Sequence, residues 1–151
     1  PIYSYGGYCV NVIVSRTNRF KAAVSAAGFS DLLRHALSMP FRGSLSYMEW
    51  TAGDGRMRDL PWENPQRYIE NSPVFRAHAV ETPLLLLHGT EDTAVPVEQS
   101  EAMFAALYRL NKEAVLVRYG GEGHVMDSPL SPYRDDYWNR VLAWFEERLA
   151  R

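Results

Sequence analysis

Three stretches of the chain carry residue types that can do chemistry together. Ser4 stands in Tyr3-Ser4-Tyr5-Gly6-Gly7 near the amino end. Far downstream, His88-Gly89-Thr90-Glu91-Asp92 closes one apolar run, and Gly121-Glu122-Gly123-His124 closes another. A serine hydroxyl is a poor nucleophile at neutral pH and needs a base within hydrogen-bond reach. The base must in turn be oriented by a carboxylate on its second ring nitrogen. His124 suits the base: the glycines before it let a loop present the ring, and histidine as a residue type titrates at roughly pH 6.5. Asp92 is the preferred acid because its loop also carries Val95-Pro96, which stiffens the return into the next helix. Glu91 and Glu122 are its rivals. His88 competes with His124 for the base and reads instead as a buried ring bonded to the acid loop.

Taken alone, Ser-x-Gly-Gly is more often a plain flexible turn. With the two downstream stretches beside it, Ser4 acquires most of the form of a nucleophile elbow, G-x-S-x-G, where a strand turns sharply into a helix. Gly6 fills the place two after the serine and lets the helix backbone pass close by. Ile2 stands where the motif has a small residue. The backbone N–H of Tyr5 is then one donor of an oxyanion hole, and the second donor belongs on a loop this chain does not carry.

The elements that must position these residues follow from periodicity. A helix is expected from Gly6 to about Ser15, with Tyr8, Cys9, Val12 and Ile13 on an apolar face and Cys9 as a buried small hydrophobe. Phe20 to Gly28 reads as a strand buried on both faces. Ser30-Asp31 caps a helix to about Ser38 that carries His35, expected to be partly exposed and without a catalytic role. Residues 40 to 80 are irregular, with short helices over Ser44–Thr51 and Asn64–Asn71 and a turn from Ser72 to near His78. Trp50 and Trp62 either line a pocket or merely cover one end of the core. Leu84 to His88 is a central strand, Pro96 to Leu110 a helix, Ala114 to Tyr119 a strand, Gly120 to Pro132 a loop, and Tyr133 to Leu149 a closing helix with its stripe on Tyr137, Val141, Trp144, Phe145 and Leu149. Strands alternating with helices predict an α/β fold, a parallel sheet with helices on both faces. Ligands bind beyond the carboxyl ends of such strands, where Ser4, Asp92 and His124 all fall.

Composition narrows the function classes. The chain has 151 residues, the size of one ordinary domain. Its net charge of −2 gives no footprint for nucleic acid or an anionic membrane. No apolar run approaches the length needed to span a bilayer. One cysteine excludes an internal disulfide and fits a reducing compartment, so a cytoplasmic location is expected. No cofactor or metal is called for. The missing initiator methionine and elbow strand lead us to expect the C-terminal portion of one longer domain, with the upstream half as a partner and self-association through a bare sheet edge.

Serine, acid, histidine in that chain order is the order of α/β-hydrolases. Beyond the order, the chain resembles the C-terminal half of the catalytic domain of the prolyl oligopeptidase family of serine peptidases, in its acylaminoacyl-peptidase and dipeptidyl-aminopeptidase-like branch. The matching residues are Ser4-Tyr5-Gly6-Gly7-Tyr8, Phe20 to Val24, Pro61-Trp62-Glu63-Asn64-Pro65, Ser72-Pro73, Thr82 to Gly89, Asp92, Val95-Pro96, Gln99-Ser100 and Gly121 to His124. They run from end to end. The resemblance implies an α/β-hydrolase fold with Ser4, Asp92 and His124 as the triad, and a short or N-acylated peptide as substrate, cleaved through an acyl-enzyme. Two alternatives stay open: an esterase or lipase-like hydrolase on the same fold, and a catalytically silent fragment.

Overall fold

The computed structural model describes residues 3–38 and 56–150. The elements in chain order are α1 (Tyr5–Val14), β1 (Ala23–Ala26), α2 (Leu32–Leu37), α3 (Pro65–Glu70), a 3-10 helix (Pro73–Ala79), β2 (Leu84–Gly89), α4 (Glu98–Arg109), β3 (Ala114–Tyr119) and α5 (Arg134–Leu149). The expected helix over Ser44–Thr51, and Trp50 with it, lies outside the described residues.

The three strands form a parallel sheet in the order β1-β2-β3. All six residues of β2 are buried, which explains its unbroken leucine run: both faces need apolar cover. Leu85 and Leu87 pack with Val24, Tyr137, Val141 and Trp144 on one face. Leu84 and Leu86 pack with Val14, Met103 and Leu107 on the other. Helices thus cover both faces, as expected of an α/β-hydrolase.

Local detail departs from the sequence reading in four places. The first strand is short, because Ala27 takes φ 45° and ends it. The face α1 turns to the sheet carries Gly7, Asn11 and Val14, while Ile13 is exposed and Cys9 is half-buried. Close approach decides this: a Cβ on Gly7 would lie 2.6 Å from the Ala26 carbonyl oxygen, and one on Gly28 would lie 2.5 Å from the Gly7 carbonyl carbon. His35 is buried, not partly exposed, with its ring 4.6 Å from that of Phe29. Leu149, at the end of the closing stripe, is exposed, whereas Tyr137, Val141 and Trp144 are buried.

The caps follow the sequence more closely. The Asp31 carboxylate accepts from the Arg34 N–H at 2.9 Å, and Asn64 accepts from the Arg67 N–H ahead of a helix that Pro65 begins. Trp62 is strongly exposed, so it does not cover the described core.

Candidate functional site

Ser4 sits at the start of α1 with φ 58° and ψ −119°, a conformation that costs a non-glycine residue about 1–3 kcal/mol and persists when its surroundings impose it. Those surroundings are identifiable. Tyr3 forms a parallel bridge with Ala26, on the edge of β1 opposite β2, and the Ser4 N–H donates to the Ala26 carbonyl at 3.1 Å. After the serine, the Tyr8 N–H returns to the Ser4 carbonyl at 3.0 Å and the helix is under way. The Ser25 hydroxyl donates to the Gly7 carbonyl, and the Asn11 amide donates to the Phe29 carbonyl. These two buried bonds lock α1 onto β1 and the turn that follows it. The strand-to-helix turn expected at Ser4 is therefore present, with Ile2 outside the described residues.

Asp92 lies on the turn after β2, and His124 on the turn after β3, both at the carboxyl edge of the sheet. Their side chains meet, with His124 Nδ1 2.7 Å from Asp92 Oδ2. The other carboxylate oxygen accepts from the N–H groups of Ala94 and Val95, each at 2.8 Å. His88 completes the shell. Its Nε2 lies 2.8 Å from the Val95 carbonyl and 3.3 Å from Asp92 Oδ2, while Nδ1 lies 2.6 Å from the Ser100 hydroxyl. A carbonyl oxygen can only accept, so Nε2 carries a proton and shares it with the acid. Burial by itself would raise the Asp92 pKa. The bonds from His124, His88 and the Val95 N–H outweigh it and hold the carboxyl well below the usual carboxylate range. A buried anion with four donors is fixed in place and remains ionised.

His88 is thus a buried ring bonded to the acid loop, as its place at the end of a strand suggested. Glu91 is exposed, and the carboxylate that His124 Nδ1 meets is that of Asp92, so neither rival carboxylate takes its place. Gln99 and Ser100, matched to the family in sequence but given no role there, prove to be contributors. The Gln99 side-chain oxygen accepts from the N–H groups of both Ser30 and Asp31 at 2.9 Å, tying α4 to the turn after β1. Ser100, beside it, holds His88. The signal available was an uncharged polar pair in the first turn of an amphipathic helix, a place that otherwise faces water.

An aromatic chain runs beside Ser4. The ring centroids are 5.4 Å apart for Tyr5 and Tyr8, 5.8 Å for Tyr8 and Phe29, and 4.6 Å for Phe29 and His35. Among the described residues, no group of three acidic, histidine or cysteine side chains is placed to hold a metal, and no helix is long and apolar enough to cross a membrane.

The family model for the prolyl oligopeptidase family matches residues 3–151. The chain belongs to that family. It is 36% identical over 147 residues to the uncharacterized peptidase YuxL of Bacillus subtilis, covering 97% of this chain and 21% of that protein. The acylaminoacyl peptidase of Pyrococcus horikoshii superposes with a TM-score of 0.86 at 28% identity, over 97% of this chain and 23% of the other. A puromycin-hydrolyzing peptidase of Mycobacterium tuberculosis gives 0.84 at 28% identity, over 97% of this chain and 21% of that one. The chain spans about a fifth of the length of these relatives.

Proposed function

We propose that this chain carries the catalytic residues of a serine peptidase that cleaves short or N-acylated peptides through an acyl-enzyme. Ser4 is the nucleophile, His124 the general base and then acid, and Asp92 the carboxylate that orients the imidazole. The observation that carries the reading is the 2.7 Å bond from His124 Nδ1 to an acid saturated with donors. It fixes the ring so that Nε2 is the nitrogen left for the serine proton. The strained backbone at Ser4, at the same edge of the sheet, supplies the matching nucleophile.

In the first step Ser4 Oγ attacks the scissile carbonyl carbon as its proton passes to His124 Nε2. The imidazolium, facing Asp92, then protonates the departing amine, and the acyl group stays on Ser4. Water repeats the sequence and releases the acid. Tyr5 directly follows the nucleophile and begins α1, and its backbone N–H is the first donor to the developing oxyanion. The second donor comes from the upstream part of the same protein, which also completes the domain of which this chain is the C-terminal portion.

The test compares kcat/KM of the full-length protein on an N-acetylated peptide p-nitroanilide and on the matching p-nitrophenyl ester. Amide turnover that is lost in Ser4→Ala supports the peptidase. Ester turnover with no amide turnover would replace it with an esterase.

A further inference from the structure

The loop that carries His124 is tied to the residue beside Ser4 by a contact the triad does not use. The Asp127 backbone N–H donates to the Tyr3 hydroxyl at 3.0 Å, across 124 residues of chain. Tyr3 is rigid at both ends. Its backbone bridges Ala26, and its ring stacks on the buried ring of Tyr137 with centroids 5.7 Å apart and planes 13° apart. Between His124 and Asp127, Met126 is fully buried in the core cluster that contains Tyr137. The loop is therefore held by Asp92 at His124 and by Tyr3 at Asp127.

We infer that Tyr3 is a positioning residue for the proposed acyl transfer: its phenol fixes the His124 loop against the strand end that presents Ser4. Asp92 orients the imidazole but belongs to the turn after β2, so it does not set the separation of the ring from Ser4. Tyr3 precedes Ser4 directly, and a tie from its hydroxyl to the histidine loop does set that separation. The hydroxyl keeps its proton: burial first, then Tyr137 and Asp127, raise its pKa well above the ordinary phenol value. Proton transfer is steep in distance, and a misplacement of about 1 Å can cost on the order of 10²-fold in rate.

The inference rests on the triad reading, and the experiment separates the two. A fluorophosphonate probe is reacted with the full-length wild type, Tyr3→Phe and His124→Ala, and both the rate constant and the final extent of labelling are measured. The rate constant belongs to the folded fraction whatever its size, so partial misfolding lowers only the extent. Tyr3→Phe keeps the stacked ring and removes the acceptor. We expect its rate constant to fall about tenfold, with an unchanged inflection in the pH–rate profile. Peptide turnover should show the loss in kcat with KM within about twofold. A wild-type rate constant in Tyr3→Phe, with His124→Ala unreactive, would overturn the role of Tyr3 and leave the triad standing. Labelling of His124→Ala at the wild-type rate would overturn both.

Discussion

A Cβ added to Gly89 would lie 2.3 Å from the carbonyl oxygen of Gly123. The end of β2 and the histidine loop thus touch with no room for a side chain. The Glu122 carbonyl is equally close to the same point, and the Glu91 N–H bonds it at 2.8 Å. The separation of the acid turn from the histidine turn is set by backbone on backbone.

That contact predicts the behaviour of Gly89→Ala. Backbone cannot give way as a flexible side chain would, so the histidine loop must shift away from Asp92. The variant is expected to lose about 1–3 kcal/mol of stability and to lose activity more than in proportion. Denaturant melts and kcat on one peptide amide check both. Wild-type kcat in a folded Gly89→Ala protein would show that the loop spacing does not matter.

Asp92→Asn leaves a side chain of the same shape but no longer selects the tautomer of His124. The expected loss is about 10⁴-fold in kcat, with little change in KM. Glu91→Gln and Glu122→Gln should each remain near wild type, since neither carboxylate bonds His124. Steady-state kinetics on the three variants would expose a wrong acid.

His35 makes stability depend on pH. Burial lowers its pKa from 6.5 to about 4, only partly opposed by the charge of Asp92. Between those values the unfolded chain binds a proton that the folded chain refuses, so stability rises with pH across the window. The contribution is fully present above pH 6.5 and is lost as pH falls through it toward 4, by up to about 3 kcal/mol. Urea melts from pH 4 to 7 should show that slope in the wild type and a flatter one in His35→Gln. Equal slopes would remove His35 as the cause.

The edge of β1 away from β2 opens on an apolar groove of about 280 Å³, lined by Val10, Ile13, Val14, Phe20, Val24 and Phe145. Leu142 and Leu149 are exposed on α5, the helix that also carries Phe145. An open parallel edge flanked by apolar surface is a template for pairing. The 151-residue chain produced alone is therefore expected to self-associate, with peptidase activity far below that of the full-length protein. Sedimentation and a chromogenic peptide assay test this, and a monomer with full turnover would refute it.

Much of the site was legible because its residues close the runs that build the sheet. His88 closes β2, Asp92 and His124 follow β2 and β3, and strand ends are where a parallel sheet presents side chains to a ligand. The leucine run of β2 and the caps at Asp31 and Asn64 were readable for the same local reasons. What escaped depends on contacts made outside each element's own residues. The burial of His35 needs Phe29 folded against it, and the inner face of α1 is set by how closely Gly7 approaches Ala26. Gln99 is polar in composition and buried in fact because two N–H groups after β1 require its oxygen. Tyr3 reads as an ordinary strand aromatic until Asp127 is brought to it.

The proposed role of Ser4 is that of a nucleophile activated by His124. Its most direct measurement is mass-spectrometric mapping of the fluorophosphonate adduct on the full-length protein, in wild type and in His124→Ala. One adduct, on Ser4, is expected in the wild type and essentially none in the variant over the same time. An adduct on another residue, or on Ser4 at an equal rate without His124, would contradict it.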